Sequence, residues 1–400
     1  MTALPLRGYA RADGRKGIRN LLLVVYLVEC AHHVAREITR RFESTEVHCI
    51  GFGGCYPNAY AQDMLQQLCT HPNVGGVLLV SLGCEGFNRP ALEEAVRASG
   101  RPVHSLVVQQ AGGTRATIQA GADWLSAALP ALRAQRAVPM AWHELSVGTI
   151  CGGSDATSGL TANPAMGIAF DLLVAQGGVG IFEETGELIG MEELMAQRAR
   201  SPALGEALRA SVGKAARYYS TLGYPSFAPG NADGGLTTIE EKSLGAYAKS
   251  GQSQIDGLIK PGVRPNAGGL YLLDVVPDGE VRFGFPNIND SAEIAELMAC
   301  GCQLILFSTG RGSVVGSAIA PVIKVCANPA TYQRMADDMD VNAGRVLQGQ
   351  ATLPEVGQEI FALMQQVANG QATCSEALGH QEFILTYKQF EAAGPGCLVG

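Results

Sequence analysis

Residues 151–167 read CGGSDATSGLTANPAMG, a stretch of glycines and short polar side chains with almost nothing that could fill a core. The run before it, residues 145–150 (LSVGTI), is strand-like, and residues 165–174 (AMGIAFDLLV) have the pattern of a helix. We expect Asn163 to cap this helix and Pro164 to occupy its first position. A strand, a polar glycine loop and a helix N-terminus in this order are typical of anion-binding sites in α/β proteins.

Strand-like and helix-like segments alternate on both sides of this loop. Toward the N-terminus, apolar runs such as residues 21–28 alternate with amphipathic segments, which predicts a Rossmann-like, doubly wound parallel sheet over residues 8–137. The alternation continues, and we predict a second, larger α/β region over residues 138–400 that includes one long helix at about 187–208. A Pro/Gly/Asn-rich crossing at residues 223–237 is either a linker or another loop of the site.

Composition excludes several classes of protein. A chain of 400 residues with 47% hydrophobic and 16% charged residues predicts a well-buried globular protein of two or three domains. The net charge of −8 gives no basic surface for nucleic acid, and no apolar run reaches the roughly 18 residues of a membrane span. Eleven cysteines, an odd number, without the apolar segment of a signal peptide predict a reducing cytoplasm rather than a disulfide framework.

Three cysteines directly follow predicted strands: Cys55 in GGCYPN, Cys84 in LGCEG and Cys151 in ICGGSD. Loops at the carboxyl ends of parallel strands gather at one edge of a sheet, so the three thiols could converge. Thiolates bind iron ions and iron–sulfur clusters, and an open metal site can polarise a hydroxyl leaving group. We therefore expect iron, as Fe²⁺ or as a cluster, with another divalent metal as the alternative. Three unreactive buried thiols are the competing interpretation.

Charged residues in other loops are candidates for binding a carboxylate. Lys242 lies in the first turn of a helix that Thr237 or Thr238 can cap, where its charge opposes the helix dipole. It could bind a carboxylate or, with a lowered pKa, remove a proton; a solvated surface lysine is equally consistent with the sequence. Arg311 stands between two glycines after a strand and is well placed to clamp a carboxylate.

Three further residues have types that suit the same chemistry. Arg19 belongs to the charged segment DGRKGIRN, which precedes a buried strand and could cover the site. His104, on a predicted strand, and His380, in GHQEF, suit acid–base work near neutral pH, although such histidines are more often structural.

Together these segments resemble the altronate and galactarate dehydratase family in its large catalytic region. They cover nearly the whole chain in the family's order, which is far more specific than any single motif. The matching stretches are GYARADGRKGIRN, HPNVGGVLLVSLGCEG, CGGSDATSGLTANPAMG, EETGELIGMEE, GNADGGLTTIEEKSLGAYAKSG, STGRGSVVGSAIAPVIKV and DMDVNAGRVLQG.

The resemblance implies a lyase that eliminates water from a hydroxylated sugar acid and gives a 2-keto-3-deoxy acid, with an iron-type cofactor. Longer members carry a small N-terminal domain before the GYARADGR motif, so we expect either a separate small subunit or an enzyme that works without it. We also expect a homo-oligomer. Sulfolactate sulfo-lyases share the scaffold, so the leaving group stays open between water and sulfite.

The expected site residues fall into three groups. They are the catalytic candidates Lys242, His104, His380 and Asp155; the substrate-binding candidates Gly152, Gly153, Ser154, Thr157, Asn163, Thr309, Arg311 and Arg19; and the metal-binding candidates Cys55, Cys84 and Cys151. Glu184, in EETGELIGMEE, is a further candidate as a ligand or an acid.

Two other functions fit the sequence less well. An NAD-dependent oxidoreductase would need G-x-G-x-x-G after the first strand, but that strand ends in VECAHH at residues 28–33. A non-catalytic sugar-acid-binding protein would need a glycine loop without reactive neighbours, whereas Cys, Asp, Glu, Lys and Arg accompany the loops here.

Overall fold

A computed structural model of the chain describes residues 5–42, 46–223, 229–279 and 289–388. The strands are β1 (Leu6–Ala10), β2 (Lys16–Gly17), β3 (Leu21–Tyr26), β4 (Val47–Gly51), β5 (Val74–Ser81), β6 (Val103–Val107), β7 (Val138–Met140), β8 (Ser146–Cys151), β9 (Val179–Phe182), β10 (Ile255–Ile259), β11 (Gly269–Leu273), β12 (Leu304–Thr309), β13 (Val322–Cys326) and β14 (Val341–Asn342). The helices are α1 (Glu29–Arg40), α2 (Ala59–Cys69), α3 (Arg89–Ala98), α4 (Thr114–Ala134), α5 (Ala162–Ala175), α6 (Glu192–Gln197), α7 (Pro202–Leu222), α8 (Pro229–Asp233), α9 (Ile239–Ala248), α10 (Asp290–Ala299), α11 (Pro329–Arg334), α12 (Leu353–Ala368) and α13 (Cys374–Ala377).

The first sheet has four parallel strands in the order β4-β3-β5-β6. Its central strands β3 and β5 are buried on both faces, because alternate side chains enter different cores. Leu22 and Val24 of β3 pack in the core that contains residues of α1 and α4, whereas Leu23 and Val25 pack in a core shared with the second sheet. The predicted α/β class is confirmed.

The second sheet has seven parallel strands in the order β10-β11-β9-β8-β12-β13-β14. From β8 the chain first builds outward through β9, and it later returns to the other side of β8 with β12. Neighbouring strands whose connections leave in opposite directions form a crevice at their carboxyl ends, which is where open α/β sheets bind ligands. The carboxyl ends of β8 and β12 are therefore where this fold predicts a ligand site.

The two sheets share one continuous apolar core. Leu23 and Val25 of the first sheet belong to the same buried cluster as Ile305 and Phe307 of the second. Asn73 adds polar contacts across this junction, because its side chain donates to the carbonyls of Gln303 at 3.0 Å and of Ile319 at 3.1 Å. The division predicted at residue 137 remains a prediction.

Several local expectations are wrong in detail. The segment before the first strand is not only a polar loop, because β1 and β2 form an antiparallel sheet with β7. The helix predicted over 187–208 is a 3₁₀ turn (Thr185–Leu188) followed by α6 and α7. The break is explained by the start of α7, where Ser201 is the N-cap and Pro202 follows it.

The N-terminus of α5 also differs from the expectation. Helix α5 begins at Ala162 with Thr161 as its N-cap, so Asn163 is inside the first turn rather than capping it. None of the helices in the described ranges is long and apolar enough to cross a membrane.

Candidate active site

The glycine loop after β8 lies against the turn after β12, at the crevice described above. The carbonyl of Gly153 accepts hydrogen bonds from the backbone amides of Gly310 at 3.1 Å and Arg311 at 2.8 Å. Gly153 has φ of 60°, a left-handed conformation that glycine adopts without strain. The structure thus brings together the loop and the TGRGS turn, two of the segments that the sequence analysis selected.

A buried cluster of reactive side chains surrounds the end of β8. The Sγ atom of Cys151 lies 3.2 Å from Glu184 Oε1, 3.3 Å from Glu187 Oε2 and 3.1 Å from Lys242 Nζ. The ammonium of Lys242 also contacts Glu187 Oε2 at 2.6 Å and donates to the hydroxyl of Ser154 at 2.8 Å. We call Cys151, Glu184, Glu187, Lys242 and Lys249 the buried cluster.

Lys249 completes the cluster through an ion pair with Glu184. Their side chains are 1% and 4% exposed, respectively. Lys249 is the C-cap of α9 and follows Lys242 by seven residues, about two helical turns, so both lysines face the same side of the helix. Thr238 caps this helix by accepting a hydrogen bond from the amide of Glu241, as the sequence predicts. Glu184 adopts φ of 77°, an uncommon conformation for a residue other than glycine.

The charges of the cluster control its protonation. Burial, and then the neighbouring carboxylate of Glu187, raise the pKa of Glu184 to about 7, although the lysines work against this shift. Burial and the two carboxylates raise the pKa of the Cys151 thiol to about 12. Burial opposes the charge on Lys242, but the facing thiol and carboxylates outweigh it and raise its pKa above the ordinary value. Lys242 is therefore an ammonium at neutral pH, which suits an acid or an anion-binding group better than a base.

Asp290, the first residue of α10, is a neighbouring carboxylate that the sequence analysis did not select. A Cβ atom placed on Gly152 would stand 2.1 Å from Asp290 Oδ2, so the glycine gives the carboxylate room to lie against the loop. Burial, and then the charge of Glu187, raise the pKa of Asp290 to about 6. A carboxyl group with such a pKa is well matched to accepting a proton near neutral pH.

Asp155, a predicted catalytic residue, makes contacts that organise the loop. Its Oδ1 accepts from the amide of Thr157 at 2.9 Å and from the Thr157 hydroxyl at 2.5 Å, and its Oδ2 accepts from Asn328 Nδ2 at 3.0 Å. Asn163 donates to the carbonyl of Gly245 at 2.9 Å. Through these hydrogen bonds, Asp155, Thr157 and Asn163 stabilise the conformation of the loop.

A cavity of about 190 Å³ opens between this loop and α9. Its lining includes Ser154, Asp155, Asn163 and Lys242. On the other side of the loop, the hydroxyl of Thr309 accepts from the amide of Gly312 at 3.0 Å, which fixes the turn that carries Arg311. Arg311 is about half-exposed and donates to the carbonyl of Gly230. Its guanidinium thus stands at the rim of the site.

Three predicted residues lie elsewhere. His104 stacks on Trp124 of α4, on the outermost strand of the first sheet. The Nε of Arg19 donates to Glu376 Oε1 at 2.6 Å and its Nη2 donates to Oε2 at 2.8 Å. His380 contacts Lys324 at 3.5 Å and lines a cavity with Arg19. The contacts of all three are made away from the buried cluster.

The thiols of Cys55, Cys84 and Cys151 do not form one group around a single ion. Cys55 and Cys84 are exposed and follow strands of the first sheet, whereas Cys151 is buried at the end of β8. The loops that carry Cys55 and Cys84 touch each other, because the amide of Gly86 donates to the carbonyl of Cys55 at 2.7 Å. Within the described ranges, the group that could hold a metal ion is Cys151, Glu184 and Glu187, whose ligand atoms all lie within 4.8 Å of one another.

This set of ligands suits a divalent transition metal. A buried cysteine, which would bind a metal as its thiolate, and two carboxylates combine soft and hard donors of the kind that bind iron, manganese or zinc. Lys242 pairs with Glu187, and Lys249 pairs with Glu184. A metal ion bound by these carboxylates would therefore compete with the two ammonium groups for their negative charge. The residues fit a metal by their chemistry.

Sequence reasoning missed Glu187, Lys249 and Asp290. Glu187 is three residues after Glu184 in the EETGELIGMEE segment, and Lys249 is two turns after Lys242, so the helical period could have indicated both. The sequence around Asp290 indicates only the start of a helix, because an Asn-Asp pair is a common N-cap and does not by itself point to a catalytic residue.

Comparison with known proteins identifies the family. Residues 8–133 match the family described as D-galactarate dehydratase/altronate hydrolase, second domain, and residues 142–390 match D-galactarate/altronate dehydratase, C-terminal. An altronate dehydratase of Escherichia coli is 32% identical over 394 residues, which cover 94% of this chain and 76% of that protein.

The chain belongs to the D-galactarate/altronate dehydratase family. Other relatives are the (2R)-sulfolactate sulfo-lyase subunit beta of Chromohalobacter salexigens, 34% identical over 96% of this chain and 98% of that protein, and the galactarate dehydratase (L-threo-forming) of Escherichia coli, 31% identical over 91% and 72%. Membership in the D-galactarate/altronate dehydratase family makes the chain an enzyme of the hydro-lyase class. The buried cluster falls in the part that matches the C-terminal family region.

Proposed function

We propose that the protein eliminates water from a hydroxylated sugar acid of the altronate or galactarate type and releases a 2-keto-3-deoxy acid. The observation that carries this proposal is the buried cluster beside the glycine loop, with cations and carboxylates in contact at the crevice of the second sheet. Such an elimination needs a base for the proton next to the carboxylate and a proton donor for the departing hydroxyl.

Each of these needs has a candidate in this chain. Arg311 and the backbone amides of Gly153 and Ser154 would bind the substrate carboxylate, since the amide of Gly152 already donates to the carbonyl of Ser308 at 3.1 Å. Asp290 would accept the proton from C2, and the ammonium of Lys242 would give a proton to the C3 hydroxyl as the C3–O bond breaks, so that water leaves. The enol that results tautomerises to the 2-keto acid, and solvent then takes the proton from Asp290 and returns one to Lys242. Support comes from the pKa values, since Lys242 is charged and that of Asp290 is about 6.

The proposal includes a metal, iron by preference. When bound, a divalent ion supplies Lewis-acid stabilisation of the departing hydroxyl, and Cys151, Glu184 and Glu187 would hold it. Binding through Cys55, Cys84 and Cys151, as in an iron–sulfur cluster, is the alternative from the sequence.

A matched pair of cysteine variants separates these two sets of ligands. We expect Cys151→Ser to lose most of its bound iron and its activity, because a serine hydroxyl is a far weaker ligand than a thiolate. Cys84→Ser should keep both. Metal analysis of protein reconstituted without oxygen gives the stoichiometry, and loss of iron in Cys84→Ser would instead support the cluster.

A second candidate function is elimination of sulfite from sulfolactate. It is favoured by the 34% identity to a sulfo-lyase subunit over 98% of that subunit. That relative is a subunit beta, which is also the reason to propose a separate small partner subunit for this chain. A homo-oligomer and a cytoplasmic location remain predictions.

One assay tests the reaction. The purified chain, supplied with Fe²⁺ without oxygen, is incubated with hexonates, hexarates and sulfolactate, alone and with any small subunit encoded beside it. We expect a 2-keto acid from a hexonate or hexarate. Release of sulfite would move the assignment to the second candidate, and no product from any of them would contradict both.

A further inference from the structure

A second polar cavity lies at the opposite end of the second sheet from the buried cluster. It has a volume of about 300 Å³ and is bordered by Ser146 and Val179, the first residues of β8 and β9. Since β8 has six residues, its two ends are about 17 Å apart. The cavity is therefore separate from the site at the carboxyl ends of the same strands.

Cationic side chains from both halves of the chain line this cavity. Arg15 and Lys16 come from the DGRKG segment, to which the proposed function gives no role, and Arg264 comes from the connection between β10 and β11. Gly301 packs against Arg264, since a Cβ there would lie 3.6 Å from its side chain. The cavity thus lies where the N-terminal segment meets the catalytic region.

Arg264 has no carboxylate partner in the described part of the chain. Its Nη2 donates to the side chain of Gln67 and, at 3.4 Å, to the hydroxyl of Thr70. Its Nε and the Nη1 of Arg15 are buried without any hydrogen-bond acceptor among the described residues. A buried N–H group of a guanidinium without an acceptor is costly, which makes this arrangement unusual for a structural contact.

The nearby carboxylates are already engaged with other cations. Asp13 pairs with Arg15 at 2.6 Å and with Arg101 at 3.0 Å, and Glu144 pairs with Lys16 at 2.9 Å. Burial, and then the charge of Arg15, lower the pKa of Arg264 to about 10; Asp13 works against this shift, and Arg101 adds a smaller lowering. The surroundings of Arg264 therefore carry an excess of positive charge in a protein whose net charge is −8.

We propose that this cavity is a second anion-binding site, which takes a compact anion with at least two negative charges, a phosphate group or a small dicarboxylate. Arg264 and Arg15 would bind it with charge-assisted hydrogen bonds, and Lys16 would add its charge at the rim. An anion held there would join the N-terminal segment to the starts of the strands whose other ends carry the buried cluster.

Calorimetric titration of the full-length protein tests this site, with inorganic phosphate and malonate as the two probes. We expect at least one of them to bind, and we expect Arg264→Gln to weaken that binding at least tenfold. Arg264→Lys should keep phosphate binding within a few-fold, because lysine retains the charge and is itself a common phosphate ligand. An unchanged circular dichroism spectrum of Arg264→Gln shows that its loss of binding is not caused by misfolding. Preference for phosphate or for malonate identifies the kind of anion.

Two matched variants make the result specific. Arg115→Gln removes an exposed arginine on α4, and Arg311→Gln removes the arginine at the rim of the proposed active site. Both should bind the anion as the wild-type protein does. No binding of either probe at millimolar concentrations, equal binding by Arg264→Gln, or loss of binding in Arg311→Gln would overturn the proposal; the last result would place the anion in the active site.

Discussion

Lys249→Met should be strongly destabilising, by about 3–5 kcal/mol in the free energy of unfolding at pH 8, since it leaves the buried Glu184 carboxylate without its ammonium partner. The loss should depend on pH. The pKa of Glu184 is about 7 in the folded protein against an ordinary value of 4.5. Between pH 4.5 and pH 7 the folded state therefore binds a proton that the unfolded state has released, and the free energy of unfolding falls as the pH rises through this range. Removing Lys249 raises that pKa further. The deficit should therefore be smallest in acid, where Glu184 is protonated, and should grow above pH 7.

Differential scanning calorimetry at pH 5 and pH 8 measures this effect as a change in Tm. Lys260→Met is the matched control, because its ammonium also pairs with a carboxylate, Asp274 at 2.8 Å, but is about one-third exposed. Asp274 is buried but keeps Lys214 at 2.6 Å as a second partner, so loss of the partly exposed Lys260 should cost about 1 kcal/mol or less.

A paired variant isolates the buried charge. Glu184→Gln combined with Lys249→Met removes both charges and should recover most of the stability that Lys249→Met loses, because no unpaired ion remains in the interior. Equal losses in Lys249→Met and Lys260→Met, or no recovery in the paired variant, would show that the ion pair is not what holds this part of the site.

Asp290→Asn should lower kcat by about a hundredfold to ten-thousandfold, the usual contribution of a general base, while the shape of the side chain is preserved. The pH profile provides a second signature. With a pKa of about 6, the wild-type carboxylate becomes protonated as the pH falls through 6, so kcat/KM should decline on the acid side. In Asp290→Asn the residual activity should lack that decline.

Steady-state kinetics between pH 5 and pH 9 on the substrate found in the assay tests the role of Asp290. Asp123→Asn is the control, since Asp123 is an exposed residue of α4 and its change should leave kcat and the profile unaltered. A variant at Asp290 with normal kcat, or one that keeps the acid-side decline, would exclude Asp290 as the base.

Much of the fold could be predicted because its signals are local. Alternating apolar and amphipathic segments predict the order of strands and helices, and the apolar run at residues 21–28 contains β3. Pairing between distant segments has no such signal. Strand β1 pairs with β7 across more than a hundred residues, and nothing near Leu6 or Met140 in the sequence indicates the other.

The difference between local signals and long-range pairing also explains which parts of the site could be predicted. The glycine loop and Lys242 were predicted from their own neighbourhoods, and the structure places Lys242 against Ser154 of that loop. The proposed convergence of Cys55 and Cys84 with Cys151 required knowing which sheet each strand joins. Cys55 and Cys84 follow the first sheet and Cys151 follows the second, a difference that periodicity alone does not reveal.

The continuous core beneath the two sheets limits how the enzyme can move. A hinge between the sheets would separate side chains such as Leu23 and Phe307, each of which contributes about 1.5–3 kcal/mol by remaining out of water. Opening by rotation of one half against the other would thus be far too costly to occur in each turnover. Admission of substrate and departure of product must instead be governed by local rearrangement of the loops over the carboxyl edge, on a frame that stays rigid throughout the catalytic cycle.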